Sequence, residues 1–299
     1  MGQLLGNATV ARVNSPIGSF LLPEGFNGPS GVRALARETS TVLEAARLVR
    51  RSRTDRRARA LLPYAGSHRV AAQDPVLLVP GFLAGDPTLK AMSVFLRHQG
   101  FRTYRAQILV NAGCTRQAAD RLERRLESIV IKRNRKVTIV GHSLGGMLAR
   151  GLAARRPDLI EGIVSMGSPV LAPGAVHRVL AWDAQMIAKL TRAGFGGMMG
   201  ADCFGGDCAR LSWEESQQAL DPDLAFTAIY SKRDGIVDWR ACLDPAAEQV
   251  EVRTSHCGMA VDPVVMDHVL GALRDQQLRR ASQQEAPDAS VGSLRVVHT

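Results

Sequence analysis

Short apolar runs alternate with amphipathic stretches along most of the chain. Six runs have the length and composition of sheet strands, at residues 76–79, 101–108, 137–140, 160–166, 226–231 and 248–253. Apolar residues at three- and four-residue steps predict helices at residues 89–99, 114–133 and, after the last strand, 262–280. This alternation predicts an α/β fold in which a mostly parallel sheet carries helices on both faces.

Three segments depart from this alternation and set the expected domain organisation. Residues 1–70 begin as a glycine- and proline-containing arm and continue, from about residue 31 to 59, as one basic helix. Residues 71–280 are expected to form the main domain, interrupted at about 170–223 by a helical segment where a cap over a site is expected. Residues 281–299 are polar and are expected to form a flexible tail. The basic helix carries an apolar stripe that we expect to pack on the main domain: Val32, Leu35, Ala36, Thr39, Val42, Leu43, Ala46 and Val49.

Residues 136–150, KVTIVGHSLGGMLAR, combine a strand, the motif G-x-S-x-G and the start of a helix. This is the context of a nucleophile elbow, in which a serine sits on a sharp turn between strand and helix. Gly141 and Gly145 leave room for the strained turn, and the helix N-terminus lies where an oxyanion would form. The sequence therefore predicts Ser143 as a nucleophile, against the alternative of a simple strand-to-helix turn.

A serine hydroxyl is a weak nucleophile at neutral pH and needs a histidine base that a buried carboxylate orients. Of the seven histidines, only His256 stands in a loop just after the final strand, with small residues around it. Two carboxylates follow the preceding strand, Asp234 directly and Asp238 four residues later. The position of Asp234 at the strand's end, beside Gly235, favours it as the orienting acid. Asp238 would then cap or close the loop.

The motifs VLLVPGF, GHSLGG, IYSKRDGIVDW and SHCGM together resemble those of the α/β-hydrolase superfamily, in particular its bacterial lipases and esterases. The resemblance covers about residues 75–273. It implies acyl transfer, in which Ser143 attacks an ester carbonyl, His256 shuttles the proton and Asp234 holds His256. The backbone N–H groups of Phe82 and Leu144 would stabilise the oxyanion. Neither a metal nor an organic cofactor is implied.

Residues 193–200, AGFGGMMG, place Phe195, Met198 and Met199 between glycines. Glycine hinges beside flexible apolar side chains suit a mobile surface that covers the serine and meets acyl chains, and ordinary core packing is the alternative. We therefore expect an acyl ester or lipid as substrate. An acyltransferase or a thioesterase would use the same triad, whereas a scaffold protein would not need an intact serine, aspartate and histidine.

The chain carries a formal net charge of +10, to which a cluster of arginines in the basic helix contributes. A solvated helix face explains such a cluster, and peripheral contact with an anionic membrane is the alternative. No nucleic-acid motif or interleaved aromatic pattern accompanies it, so we expect no nucleic-acid partner. The arginines are Arg47, Arg50, Arg51, Arg53, Arg56, Arg57 and Arg59.

The five cysteines bear on compartment and metal binding. No apolar run approaches the roughly 20 residues that span a bilayer, and the N-terminus lacks the pattern of a secretory signal. These two observations, together with the odd number of cysteines, predict a cytoplasmic protein, peripherally membrane-associated at most, with mostly free thiols. Cys203 and Cys208 either pair across a local loop or stay free. A zinc site needs more ligands than that stretch offers, so we expect no metal.

Overall fold

A computed structural model describes residues 18–61, 74–194 and 197–285, with side chains at all of these except 56–61 and 283–285. Six strands form a parallel sheet in the order β2-β1-β3-β4-β5-β6. In chain order they are β1 (Pro75–Val79), β2 (Arg102–Arg105), β3 (Val137–His142), β4 (Ile160–Met166), β5 (Ala225–Ser231) and β6 (Glu248–Val252). The predicted α/β fold with a parallel central sheet is confirmed.

Helices cover both faces of the sheet, as predicted. On one face, Leu126 and Leu152 pack in a core with Ile139, and on the other, Leu96 and Val269 join a second core. Every residue of β1 and β3 is buried, which explains their continuous apolar runs. The packing helices are α3 (Lys90–His98), α4 (Thr115–Arg133), α5 (Leu144–Arg155) and α9 (Pro263–Glu285).

Between β4 and β5 the chain leaves the sheet, and the described residues of this segment form three helices, α6 (Arg178–Arg192), α7 (Asp202–Gly205) and α8 (Asp207–Ser216). This is the segment in which the sequence predicts a helical cap. The buried Arg150 of α5 anchors the C-terminal end of this segment. Its guanidinium donates to the carbonyl oxygens of Ser216 and Gln218 and to the carboxylate of Asp244. A buried guanidinium needs such partners because an unpaired charge away from water is strongly unfavourable. The end of the insertion is therefore fixed to the helix that follows β3.

Two element boundaries differ from the predicted ones by three residues or more. β2 ends at Arg105, because Gln107 adopts a left-handed φ of 64° and its N–H donates to the Asp86 carboxylate at 3.0 Å instead of continuing the ladder. α9 runs on to Glu285, beyond the expected end at residue 280. The sequence offers neither glycine nor proline after residue 271 to stop this helix before Pro287.

The predicted single helix over residues 31–59 is wrong: the chain forms α1 (Val32–Glu38) and α2 (Thr41–Leu61). They are separated at Thr39 and Ser40, whose hydroxyls donate to the carbonyl oxygens of Ala36 and Arg37. Such side-chain bonds compete with the helical ladder and favour a break.

The apolar stripe predicted to pack inward faces solvent instead. Val32, Val42 and Leu43 are 83%, 73% and 63% exposed, whereas Ala34 and Glu44 are buried. The hydropathy pattern predicts the wrong face because the acidic residue Glu44 takes an inward position. Such patterns assign acidic residues to the surface. The division of the chain into residues 1–70, 71–280 and 281–299 stays a prediction.

Several predicted features lie outside the described residues: residues 1–17 of the arm, residues 62–73, the cap residue Phe195, and most of the tail, residues 286–299. In the described part of the chain, no helix combines the length and the apolar character needed to cross a membrane.

Candidate active site

Ser143 occupies the turn between β3 and α5 at the carboxyl edge of the sheet. Its φ of 52° and ψ of −120° are rare for a residue with a side chain, so the surrounding structure must hold it. A Cβ on Gly141 would lie 2.5 Å from the backbone of Gly145, and one on Gly145 would lie 2.2 Å from the carbonyl oxygen of Val79. The predicted elbow glycines therefore stand where no side chain fits.

The loop after β1 packs directly on the serine. A Cβ on Gly81 would lie 3.0 Å from the Cβ of Ser143, which puts the next residue, Phe82, beside Ser143. The N–H of Leu144, the first residue of α5, has no acceptor within its helix. Among the hydrogen bonds of the described residues, none has the Phe82 N–H as donor. Both predicted donors are thus available to a negative charge that develops beside Ser143.

His256 and Asp234 meet beyond the ends of β6 and β5. Nδ1 of His256 lies 2.7 Å from Oδ2 of Asp234, and both side chains are buried. The other oxygen of Asp234 accepts the N–H groups of Ile236 at 2.8 Å and Val237 at 2.7 Å. These donors offset the energetic cost of burying the carboxylate, and they hold its Oδ2 against Nδ1 of His256. Nε2 is left as the nitrogen that can exchange a proton.

Asp238, the alternative acid, makes the contacts of a loop cap. Its Oδ1 accepts the N–H of Arg240 at 3.1 Å, at the start of a short 3-10 helix, and its Oδ2 accepts the N–H of Asn27 at 3.4 Å. The carboxylate bound to His256 belongs to Asp234.

Ser143 and His256 flank the end of β4. The N–H of Ser143 donates to the carbonyl of Met166 at 2.8 Å, and a Cβ on the next residue, Gly167, would lie 3.1 Å from Nδ1 of His256. Within the described residues no hydrogen bond joins the Ser143 hydroxyl to the imidazole. Such bonds are often long without substrate and shorten when it binds. The three predicted side chains thus share one sheet edge, with the serine–histidine bond not formed.

Two neighbouring histidines have opposite electrostatic environments. Burial acts to lower the pKa of His256, but the charge and hydrogen bond of Asp234, with a smaller contribution from Glu38, raise this pKa above its ordinary value. The ring of His142 lies 4.8 Å from that of His256, and burial together with the His256 charge lowers the pKa of His142 to about 3. His142 is therefore neutral at physiological pH. Its Nε2 lies 3.0 Å from the His256 carbonyl oxygen and supports that loop.

Glu38, at the end of α1, binds both loops that carry the histidine and the acid. Its carboxylate accepts the N–H groups of Gly235 at 2.9 Å, His256 at 3.0 Å and Cys257 at 2.9 Å. One side chain thus joins the residue after Asp234 to the backbone of His256. Sequence reasoning missed this contact.

Glu44, on α2, also supports the loop that carries His256. Sequence reasoning did not identify this residue either. It accepts the N–H of Ser255 at 2.9 Å and the Ser255 hydroxyl at 2.6 Å, and a Cβ on Gly258 would lie 1.6 Å from its Oε2. No local signal marks either glutamate, because their loop partners lie 197 to 219 residues away along the chain. A buried position for an acidic residue can be recognised only when the fold is known, because the fold brings backbone N–H groups without partners next to the carboxylate.

An apolar cavity opens beside Ser143, between α5 and the insertion. Its walls include Met147 of α5, Ala184 of α6 and the predicted cap residue Met199, which is buried. Met198 is half-buried and packs against the same group of side chains without lining the cavity. The cavity is thus a place where an apolar chain attached to a reacting carbonyl could lie.

Comparison with known proteins identifies relatives of this architecture. A family model described as the alpha/beta hydrolase family matches residues 76–298, which is most of the chain. The chain is also 32% identical over 99 residues to a triacylglycerol lipase of Vibrio cholerae. That match covers 31% of this chain and 31% of the lipase, so the chain matches about a third of that relative's length.

Solved lipase structures share the fold at low sequence identity. A mature lipase of Bacillus licheniformis has a TM-score of 0.54 and 12% identity, over 71% of this chain and 96% of that one. A soluble variant of monoglyceride lipase from Saccharomyces cerevisiae, in complex with a substrate analogue, has a TM-score of 0.51 and 15% identity, over 71% of this chain and 87% of that one. At these identities the matches show the fold alone.

We predict that Glu38→Gln loosens the histidine loop and lowers the pKa of His256. The amide keeps the shape of the side chain, but it removes the negative charge and turns one acceptor into a donor facing backbone N–H groups. A hydrogen bond to a charged group contributes roughly 1.5–3 kcal/mol, so the free energy of unfolding should fall by at least about 1.5 kcal/mol. NMR titration of the His256 ring and denaturant unfolding measure the two effects.

The matched control is Glu24→Gln, since Glu24 is exposed on the same N-terminal segment. It should change neither quantity. A His256 pKa that stays unchanged in Glu38→Gln would refute the electrostatic role of Glu38, whether or not stability falls.

Proposed function

The chain belongs to the alpha/beta hydrolase family, and on this premise we propose that it is a serine hydrolase of carboxylic esters with apolar or acyl-lipid substrates. The observation that carries the proposal is the buried Asp234–His256 pair at the same sheet edge as Ser143, which is held in a strained turn. This is the constellation that a nucleophilic serine needs.

In the acylation step, Nε2 of His256 removes the proton of the Ser143 hydroxyl as its oxygen attacks the ester carbonyl carbon. The carbonyl oxygen becomes an oxyanion, to which the N–H groups of Phe82 and Leu144 donate. Asp234 stabilises the imidazolium, consistent with the raised pKa of His256. When the tetrahedral intermediate collapses, Nε2 protonates the leaving alcohol and the acyl group stays on Ser143.

Deacylation repeats the same proton transfers with water. Nε2 of His256 takes a proton from the water that attacks the acyl carbonyl, and then returns it to the Ser143 oxygen as the carboxylic acid leaves. An acyltransferase would admit an alcohol in place of this water, and a thioesterase would release a thiol in the first step. Both are the alternative functions of the same triad.

The cavity supports an acyl chain as the bound part of the substrate. Most side chains along it are apolar, including Met147, Leu148 and Leu180, and it reaches Ser143. An apolar cavity favours hydrocarbon because it removes that surface from water, by about 0.8 kcal/mol per buried methylene. The name of the Vibrio cholerae relative, a triacylglycerol lipase, agrees with this substrate class.

We predict that the protein hydrolyses p-nitrophenyl esters and that Ser143→Ala reduces kcat/KM by about a thousandfold or more, as loss of a nucleophile does in such triads. A series of esters from short to long acyl chains, followed by release of p-nitrophenol, measures both the loss and the preferred length. Ser128→Ala is the matched control, since Ser128 is exposed on α4, and it should keep the wild-type rate.

Turnover that survives in Ser143→Ala would refute the serine mechanism. No ester turnover, with Ser143 still labelled by a fluorophosphonate, would favour the acyltransferase or thioesterase. No turnover and no labelling would leave only a scaffold role on a hydrolase fold.

We predict that Ala184→Phe shortens the preferred acyl chain. Ala184 is buried and lines the cavity from α6, so a phenyl ring there would occupy the space of several methylenes. Hydrophobic pockets discriminate by roughly 10-fold to 200-fold for one methylene, so kcat/KM for long-chain esters should fall at least about tenfold relative to short-chain esters.

The same ester series checks this prediction. Ala281→Phe, at an exposed position of α9, is the control and should leave the length profile unchanged. An equal loss for short and long esters in Ala184→Phe would contradict the assignment of this cavity to the acyl chain.

We further propose peripheral contact with anionic membranes through α2. Arg47 and Arg51 are engaged within the protein, donating to Asp262 at 3.3 Å and to Asp267 at 2.6 Å. The exposed face instead presents Val42, Leu43 and Val49, 73%, 63% and 50% exposed, together with the exposed Arg50 and Arg53. Apolar residues beside arginines on one helix face suit the boundary between anionic headgroups and acyl chains.

Flotation with phosphatidylglycerol vesicles tests this contact. Wild-type protein should float with them, less so at high salt, and should not float with phosphatidylcholine vesicles. The double change Val42→Ser and Leu43→Ser should weaken binding about tenfold or more, because each buried side chain contributes roughly 1.5–3 kcal/mol. The control Val264→Ser alters an exposed apolar residue of α9; an equal loss in both variants would contradict the assignment to α2.

A further inference from the structure

Three thiols from two distant parts of the chain converge beside the cavity, which one of them, Cys203, lines. Sγ of Cys114 lies 3.3 Å from Sγ of Cys208, Sγ of Cys208 lies 4.0 Å from Sγ of Cys203, and all three lie within 4.8 Å of one another. Cys114 precedes α4, whereas the other two belong to the insertion. The sequence expectation of no metal considered only Cys203 and Cys208, because nothing local connects Cys114 with them.

The spacing of the three sulfur atoms fits one metal cation bound by all three better than it fits a disulfide. With Zn–S bonds of about 2.3 Å and tetrahedral angles, ligand sulfurs lie about 3.8 Å apart, and the two shorter separations, 3.3 and 4.0 Å, bracket that value. A disulfide needs only two sulfurs at about 2.05 Å. It would leave the third thiol without a role.

Two of the three thiols lie at helix N-termini. Cys114 is the N-cap of α4, a helix of 19 residues. Cys208 is the second residue of α8. Two of the three thiols therefore stand at the positive end of a helix, a position that favours the thiolate, which is the form that binds metal.

The turn that presents the two insertion thiols is itself fixed. The Asp202 carboxylate accepts the N–H of Cys208 at 3.3 Å. A Cβ on Gly206 would lie 2.0 Å from Oδ1 of the same carboxylate. The turn between α7 and α8 is thus held in the shape that brings Cys203 and Cys208 to one side.

We propose that Cys114, Cys203 and Cys208 bind one Zn²⁺ ion as three thiolate ligands, with the fourth position taken by solvent. Soft thiolates select such a cation over Mg²⁺ or Ca²⁺. The ion joins α7 and α8 to the start of α4. Because Cys203 also lines the cavity beside Ser143, the ion fixes the wall of that cavity and stabilises the insertion. The site does not depend on the proposed ester hydrolysis.

Metal binding is tested on the full chain, reduced and kept under anaerobic conditions. We expect one Zn²⁺ per chain by elemental analysis, and Co²⁺ binding with a thiolate-to-metal charge-transfer band that Zn²⁺ displaces. Zn²⁺ should raise the Tm of the wild-type protein. Cys114→Ser, Cys203→Ser and Cys208→Ser should each weaken binding by more than the roughly 10-fold to 100-fold that losing an outer-shell partner causes.

The control is Cys257→Ser, since Cys257 is exposed and outside the cluster; it should bind Zn²⁺ like the wild type. Circular dichroism of the metal-free variants separates a lost ligand from a lost fold. The proposal is overturned if the reduced wild type binds no Zn²⁺ and no Co²⁺. It is also overturned if binding persists in all three cluster variants. A Cys114–Cys208 disulfide found by mass spectrometry, with no metal binding after its reduction, would assign the cluster to thiol oxidation instead.

Discussion

The buried hydrogen bond between Asp234 and His256 is the contact on which the rest of the site depends. It requires the loops after β5 and β6 to end side by side, and the parallel pairing of these strands, with Ser231 opposite Val252, provides this. The Ser231 hydroxyl then joins the loops by donating to the carbonyl of Thr254 at 2.6 Å. A carboxylate buried this deeply is stable only when its oxygens have donors. The loops are shaped to supply them.

The same constraint explains the role of the N-terminal helices. A loop that turns sharply to present a histidine leaves backbone N–H groups without partners, and these must be satisfied when water is excluded. Glu38 and Glu44 accept them, so α1 and α2 form part of the support of the site. The inward face of these helices is therefore partly acidic, and Val42, Leu43 and Val49 remain at the surface, where the proposed membrane contact lies.

The sequence predicts the sheet, the elbow and the positions of the acid and base loops because these signals are local. A buried parallel strand is an apolar run, and the residues just after it, such as Ser143 or Asp234, are carried to the carboxyl edge whatever the rest of the chain does. Contacts between distant polar groups have no such signal. Glu38 reaches loops about two hundred residues away, and Cys114 meets Cys208 only because α4 begins beside the insertion. These contacts become visible only when the fold is known.

Our proposal is that Ser143 is a nucleophile activated by His256, which Asp234 orients. It is tested most directly by locating the covalent adduct of a fluorophosphonate, with intact mass followed by peptide mapping, in wild type and in His256→Ala. We expect one adduct per chain, on Ser143, and a labelling rate that falls by orders of magnitude in the variant. An adduct on another residue, or labelling of Ser143 that is equally fast without His256, would contradict it.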